Sequence, residues 1–71
     1  MQYDVVLESV GRSQVLVVKA VMELTGAPVD AGRALVERAP CPVLTGVDEG
    51  HADRAVIALR NVGAIVSRQA V

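Results

Sequence analysis

Two apolar stripes at the spacing of an α-helix run along the segment from Gln14 to Leu24. One stripe comprises Val17, Ala20, Val21 and Leu24, and the second comprises Val15, Val18, Lys19 and Met22. A helix at the edge of a small domain needs only one such stripe to face its core. Because the second stripe is apolar and contains a cation, its composition is typical of a surface that docks a partner. The segment therefore predicts a helix with a core side and a candidate binding side.

The second stripe also has a simpler interpretation, in which a following helix covers it and it belongs to the core. Lys19 argues against this interpretation, because burial of an unpaired ammonium group is costly. Met22 favours docking, because its flexible thioether adapts to irregular surfaces. The two interpretations differ in whether these side chains remain open to solvent.

Local signals predict a strand and a helix in the first third of the chain. Apolar and polar residues alternate from Tyr3 to Leu7, which is the pattern of a half-buried strand. Ser13 is a candidate N-cap of the helix that follows, since its hydroxyl can accept a hydrogen bond from a free backbone N–H. Gly26 is expected to end that helix, because glycine readily adopts the left-handed conformation found at many helix ends.

A second helix is predicted from Pro28 to about Arg38, with Asp30 in its first turn. Its expected core contacts are Val29, Leu35 and Val36. A glycine inside a helix, here Gly32, costs about 1 kcal/mol relative to alanine. We therefore expect another backbone, such as that of the first helix, to approach closely at Gly32.

The C-terminal half predicts a strand, a helix and a strand. Cys41–Thr45 is a short strand between prolines and a glycine, and prolines confine such a strand to a sheet edge. Asp48 can cap a third helix that Gly63 closes, and the last strand is expected over Ala64–Arg68. The inward stripe of the third helix comprises Ala52, Ala55, Leu59 and Val62.

The predicted order of elements is β-α-α-β-α-β in one domain of residues 1–71. Strands mixed with helices in so short a chain indicate an α+β fold of two layers. We expect a three-stranded antiparallel sheet that three helices cover on one face. Its core must be aliphatic, because Tyr3 is the only aromatic residue.

Composition argues against nucleic acid and membrane as partners. The seven Lys and Arg residues are spread along the chain, and the net charge is −1. Nucleic-acid binding usually needs a basic patch, and binding of single strands also needs stacking aromatics. No stretch approaches the roughly 20 apolar residues of a membrane span.

No set of residues predicts catalysis, a metal site or a cofactor. His51 stands alone, whereas a zinc site needs three or four ligands. Asp48, Glu49 and Asp53 lie at the start of the third helix, where carboxylates cap the helix and interact with its dipole. A general acid–base pair needs a pocket that shifts the pKa of one partner, and the sequence indicates none. We therefore expect a protein that is not an enzyme.

The N-terminal residues and the single cysteine indicate a cytoplasmic location. The start MQYDVVLES has the pattern of a strand and lacks the basic region of a secretion signal. Cys41 cannot form an internal disulfide, so a reducing compartment is expected. Its position between two prolines predicts a small hydrophobic residue at a strand edge.

The segment VVLESVGRSQVLVVKAVMELTGAPVDAGRALVERAP, with LTGV and NVGAIV after it, resembles the C-terminal domain of the bacterial ribosomal stalk protein. The resemblance spans Tyr3 to Val66. Its most specific parts are the VLVVKAV run, the Thr25-Gly26 break, the LVERAP end of the second helix and the Gly63-Ala64 turn.

The resemblance implies the same fold and a role in recruiting translational GTPases, the elongation and initiation factors, to the ribosome. It also implies a binding face on the first helix and the start of the second. Carried over residue by residue, that face comprises Gln14, Val15, Val18, Lys19, Met22 and Arg33. It includes the whole second stripe, which the helical spacing indicates independently. Arg33 also has a plain interpretation as a solvated helix residue.

The chain departs from the stalk family on this face. Gln14, Met22 and Asp30 occupy positions that are commonly basic in that family, so Lys19 and Arg33 are the cations that remain. Electrostatic attraction mainly sets the rate of association. We therefore expect slower recruitment of GTPases, or a preference for another partner. The stalk protein also has an N-terminal dimerisation region and a hinge, and this sequence starts directly at the first predicted strand. We therefore expect that tethering to a ribosome would need another chain.

A further departure concerns the sheet. Alternation predicts that Val6, Leu44 and Ile65 point away from the helices, and positions matching the last two are typically charged in the stalk family. An open sheet face is normally polar when solvated. These three residues therefore predict an apolar patch at which a homodimer or a fixed partner would pack.

Three functional hypotheses follow. The first is a non-catalytic protein-interaction module that binds translational GTPases through the face on the first two helices. The second is an adaptor of a bacterial AAA+ protease, since the stalk domain shares its fold with such an adaptor, although fold alone does not assign function. The third is a homodimeric structural subunit of another complex, assembled through the sheet patch.

Overall fold

A computed structural model describes residues 1–71, and the order of its elements is the one that the sequence predicts. The elements are β1 (Tyr3–Ser9), α1 (Gln14–Thr25), α2 (Val29–Glu37), β2 (Cys41–Val47), α3 (Glu49–Asn61) and β3 (Ile65–Ala70). The α+β fold is confirmed. Each strand is longer than predicted or shifted toward the C-terminus, because backbone pairing continues past the last alternating apolar residue.

The three strands form one antiparallel sheet in the order β2-β1-β3. In the register, Leu7 of the central strand β1 lies opposite Cys41 of β2 and Val66 of β3. The predicted edge position of β2 is confirmed, and this edge carries the exposed Pro42, which cannot donate a ladder hydrogen bond.

The core lies between the sheet and the helices and consists of aliphatic side chains. On β1 the alternation holds, since Val5 and Leu7 have no exposed surface. The core cluster has 14 buried residues, namely Val5, Leu7, Val17, Val18, Ala20, Val21, Val36, Val43, Ala52, Ala55, Val56, Leu59, Ala64 and Val66. Tyr3 is half-buried and packs against this cluster. The helix α2 packs chiefly against α1.

The predicted helix ends are confirmed. The Ser13 hydroxyl accepts a hydrogen bond from the Leu16 backbone N–H at 3.4 Å, and Gly26 adopts the left-handed conformation with φ +71°. The Asp48 carboxylate caps α3 by accepting from the His51 backbone N–H at 2.7 Å. These caps fix where α1 and α3 begin and where α1 turns toward α2.

The prediction for Val29 is wrong. Its side chain was expected in the core but is 48% exposed, because α2 begins at this residue and its buried residues, Gly32 and Val36, lie further along the helix. The inward side of α2 is formed by Val36, which is 1% exposed, and by the half-buried Leu35.

The prediction for Leu44 is also wrong, and a β-bulge explains why. Val6 lies opposite Pro42 and Val5 lies opposite Leu44, so β2 has one extra residue, Val43, between these pairs. A bulge of this kind interrupts the alternation of side chains. Leu44 therefore packs against the core cluster together with the buried Val43.

The predicted apolar patch of three residues on the open sheet face does not form. Leu44 turns inward, Val6 is half-buried, and Ile65 is 59% exposed at the start of β3. No helix has both the length and the apolar character needed to cross a membrane. No group of three or more His, Cys, Asp or Glu side chains is placed to hold a metal ion.

Candidate functional site

A groove of about 470 Å³ runs between α1 and α2. Its lining residues are Gln14, Val15, Val18, Lys19, Met22, Val29, Arg33 and Glu37. All six residues that the sequence analysis assigned to the binding face are among them, so the fold brings that whole set together.

The groove exists because α1 and α2 form a hairpin with a close approach at one glycine. A short connection, residues 26–28, joins the two helices. A Cβ atom at Gly32 would lie 2.8 Å from the Met22 Cγ atom and 3.6 Å from the Val18 carbonyl oxygen. The expectation of a close approach of α1 at Gly32 is therefore confirmed.

The two interpretations of the second stripe each hold for part of it. Val18 is 8% exposed and belongs to the core cluster, and Met22 is half-buried against that cluster. These two residues form the floor of the groove, where α2 covers them. Val15 is 79% exposed and Lys19 is exposed, so the part of the stripe that α2 does not cover is open to a partner.

The charged side chains of the groove have no ionic partner within the chain. Lys19, Arg33 and Glu37 are exposed and take part in none of the ion pairs of the molecule. Those pairs all involve His51 or Arg68, which lie on α3 and β3. A partner with complementary charge can therefore bind the groove residues without breaking an internal pair.

The three residues that replace commonly basic residues of the stalk family, Gln14, Met22 and Asp30, do not all lie in the groove. Gln14 and Met22 line the groove, so the loss of a cation at those positions changes the groove itself. Asp30 is exposed in the first turn of α2 but does not line the groove. Its reversed charge acts on a partner only from outside the groove.

Sequence analysis missed two residues of the groove, Val29 and Glu37. A helical signal for both was present, because they lie four residues before and four residues after Arg33. Residues four apart lie on one face of a helix. Counting in both directions from Arg33 along the predicted second helix would have found them.

A second, more open cavity of about 650 Å³ adjoins the end of the groove. It is lined by Glu8, Ser9, Val10, Gly11, Gln14, Val36, Glu37 and Ala39. Gln14 and Glu37 line both cavities, so the two are adjacent at these residues.

Outside the groove, α3 and β3 pair their charges with each other. The Arg68 guanidinium donates a hydrogen bond to the Asp53 carboxylate at 2.7 Å and lies 3.8 Å from the Glu49 carboxylate. It also stacks over the Tyr3 ring, 4.5 Å from the ring centroid, which is the geometry of a cation–π contact. This cluster joins the helix layer to the sheet.

The carboxylates at the start of α3 stabilise the helix end. The Asp48 carboxylate accepts hydrogen bonds from the backbone N–H of His51 and from its Nδ1 atom at 2.8 Å, and these bonds hold the pKa of Asp48 below its ordinary value of 3.8. Cys41 is buried at the start of β2, and its thiol donates to the Leu35 carbonyl oxygen at 3.1 Å, in agreement with its predicted place as a small hydrophobic residue.

Comparison with known proteins gives a consistent result. The family model of the ribosomal protein L7/L12 C-terminal domain matches residues 3–69. The chain is 42% identical over 66 residues to the large ribosomal subunit protein bL12 of Vibrio campbellii, an alignment that covers 93% of this chain and 54% of the relative. It is 45% identical over 65 residues to the same protein of Burkholderia thailandensis, with 92% and 52% covered. For Thermobifida fusca the identity is 41% over 66 residues, with 93% and 51% covered. The chain thus spans about half the length of the curated relatives it matches.

Proposed function

Because the chain belongs to the ribosomal protein L7/L12 C-terminal domain family, we propose that it is a docking module of the translation machinery that binds translational GTPases through the groove between α1 and α2. Membership of a ribosomal protein family confirms the prediction that the chain is not an enzyme. A cytoplasmic location is part of the same proposal.

One observation carries the proposal. Of the six residues that the resemblance assigned to the binding face, five lie on α1 and Arg33 lies on α2, and all six line one groove. Two apolar residues of this groove are open to solvent, since Val15 is 79% exposed and Val29 is 48% exposed. Apolar side chains beside unpaired cations are the composition expected of the centre and rim of a protein interface.

The role of each residue follows from its exposure. Val15 and Val29 supply apolar contact area, and Val18 and Met22 form the floor on which a partner side chain rests. Lys19 attracts an acidic surface from the α1 side, and Arg33 does so from the α2 side. With Gln14 and Met22 in place of basic residues, the attraction is weaker than in the stalk family, and the main consequence is a lower association rate.

The test is binding of a bacterial elongation-factor GTPase to the chain and to the variants Val15→Asp and Lys19→Glu, measured by surface plasmon resonance. Val15 is highly exposed, so its substitution changes the groove without disturbing the core. Val18→Asp is a poor choice, because Val18 is 8% exposed and an aspartate there would unfold the domain. Ile57→Asp is the matched control, because Ile57 is 58% exposed on α3 and lies outside the groove.

We expect Val15→Asp to weaken binding about tenfold or more, as at an interface hot spot. Lys19→Glu should mainly lower the association rate, and the difference from the unmodified chain should shrink at high salt. Ile57→Asp should bind as the unmodified chain does. Equal binding by all four proteins would show that the groove is not the interface.

The homodimer is a separate prediction that rests on Val6 and Ile65, because Leu44 packs against the core. If the sheet face holds two copies together, Ile65→Glu should convert a dimer to a monomer in sedimentation velocity while the fold stays intact. A monomeric unmodified chain at high concentration would end this prediction. The alternative of a protease adaptor rests on shared fold alone, and no feature of the groove favours it.

A further inference from the structure

We propose that the docking groove is electrically polar along its length and that it selects partner segments carrying both an acidic and a basic residue beside an apolar one. This inference rests on the proposed function, because it assumes that the groove between α1 and α2 is the docking face. It adds the chemical pattern that a bound segment must have, and it assigns Glu37 as the residue that sets this pattern.

The polarity follows from the order of charges along α2. Arg33 and Glu37 both line the groove, are both exposed, and are separated by one helical turn. At 1.5 Å per residue their backbone positions differ by about 6 Å along the helix axis. Lys19 adds a second cation to the groove from α1, whereas Glu37 is its only carboxylate.

The second cavity lies next to the groove at Glu37, and its charged lining residues are all acidic. Glu37 lines both cavities, and Glu8, at the end of β1, lines the second one. No Lys, Arg or His side chain lines this second cavity. A bound segment that extends past Glu37 therefore meets two carboxylates and no cation.

None of these groups is neutralised by the chain itself. Lys19, Arg33, Glu37 and Glu8 form no ion pair within the molecule. Like-charge juxtaposition across an interface is costly and opposite charges fix the register of a partner. A uniformly acidic segment would gain at Lys19 and Arg33 but would be repelled at Glu37. A segment with a carboxylate near Arg33 and a basic residue near Glu37 gains at both places.

The apolar requirement comes from the surface between the charges. Val15 and Val29 are exposed groove residues, and a side chain seated between the helices rests on the floor formed by Val18 and Met22. On a partner helix, residues four apart reproduce the spacing of Arg33 and Glu37. The segment that fits best therefore presents a glutamate and a lysine one turn apart, with apolar residues on the same face.

The test uses four synthetic helical peptides with the same length and the same leucine stripe. They carry, at two positions four residues apart, two glutamates, two lysines, or one of each, and the mixed peptide is made in both orders. Binding to the chain is measured by fluorescence anisotropy at low salt. The variants are Glu37→Gln and Glu8→Gln, with Glu23→Gln as the charge-matched control, because Glu23 is exposed on α1 and lines neither cavity.

We expect one or both mixed peptides to bind about fivefold or more tightly than the doubly acidic peptide, and the doubly basic peptide to bind most weakly. Glu37→Gln should abolish the preference for the mixed peptide and leave the doubly acidic peptide bound at least as well as before. Glu8→Gln should reduce the preference by a smaller factor, and Glu23→Gln should retain it.

Four results would overturn the proposal. These are equal binding of mixed and acidic peptides, absence of peptide binding, a uniform gain in affinity for every peptide with Glu37→Gln, and dimers in sedimentation that Glu37→Gln dissociates while no peptide is preferred. The uniform gain would mean that Glu37 only screens Arg33.

Because no GTPase is used, the two proposals fail separately. Loss of the peptide preference with intact GTPase binding removes only the polarity, and loss of GTPase binding with an intact preference removes only the GTPase as partner.

Discussion

Two regions of this small molecule differ in whether their charged side chains are paired within the chain. On the side of α3 and β3, Arg68 is bonded to Asp53 at 2.7 Å and stacked on Tyr3, so its charge is used within the chain. On the side of α1 and α2, Lys19 and Arg33 have no ionic partner and stand beside exposed valines. Paired charges that bridge two layers stabilise a fold, whereas unpaired charges beside exposed apolar groups are available to another molecule.

The comparison also shows why a count of charges says little about function. The chain has a net charge of −1 and seven Lys and Arg residues, with no excess that would mark a binding surface. Arg68 and Arg33 are the same residue type, yet the first is 35% exposed in its side chain and bonded, and the second is exposed and free. The neighbours of each guanidinium, rather than its presence, separate a structural role from a docking role.

The largest effect is expected for a buried residue of α3, and it is compared with the effect at an exposed residue of the same helix. Leu59 has no exposed surface, so Leu59→Ala should lower the free energy of unfolding by about 2–5 kcal/mol. In a chain this short such a loss removes much of the total stability. Ile57→Ala, on the same helix at 58% exposure, should change the free energy of unfolding by no more than about 0.5 kcal/mol. Urea unfolding followed by circular dichroism measures both, and equal losses would mean that α3 has no distinct inward face.

A smaller effect compares two arginines. Arg68→Gln should lower the free energy of unfolding by about 1 kcal/mol, through loss of the bond to Asp53 and of the contact with Tyr3, less the screening of a partly exposed pair. Arg33→Gln should leave unfolding unchanged and weaken partner binding. Thermal unfolding and binding assays on both variants check this. If Arg33→Gln destabilises the fold as much as Arg68→Gln does, the contrast between the two sides is wrong.

The smallest effect is a pH dependence at the start of α3. The hydrogen bonds from the His51 backbone and side chain lower the pKa of Asp48 in the folded protein, so this carboxylate contributes stability at pH values above its ordinary pKa of 3.8. That contribution is lost as the pH falls from there through the lower, folded pKa. Asp48→Asn keeps a capping oxygen but does not titrate. The thermal midpoint of this variant should therefore fall less steeply below about pH 4 than that of the unmodified chain. Parallel curves would show that other carboxylates govern acid unfolding.

Local sequence signals predicted most of the fold because its elements begin and end at residues with a strong individual preference. Ser13, Gly26 and Asp48 act at the positions expected of them, and Gly32 marks the contact of α1 with α2. Leu44 could not be placed, because a bulge that depends on pairing with β1 interrupts the alternation on which the prediction relied.

For the candidate site, sequence spacing identified the α1 side of the groove but could not predict how deeply each of its side chains is buried. Val15 and Val18 belong to the same stripe, yet one is 79% exposed and the other 8%, because only the second lies under α2. The position of α2 over α1 is a tertiary property that no single stripe contains. The same reason explains Val29, whose neighbourhood in sequence suggested core and whose place in the fold is the groove wall.

Gly32 affects the size of the groove although it is not one of the residues that line it. The bare backbone at this position leaves room for the Met22 side chain, which an added methyl group would displace at 2.8 Å. The absence of a Cβ atom at Gly32 therefore determines where the Met22 side chain lies on the groove floor, and with it the size of the partner side chain that fits there. Exchange at this single site could retune selectivity among ligands while every exposed contact stays as it is.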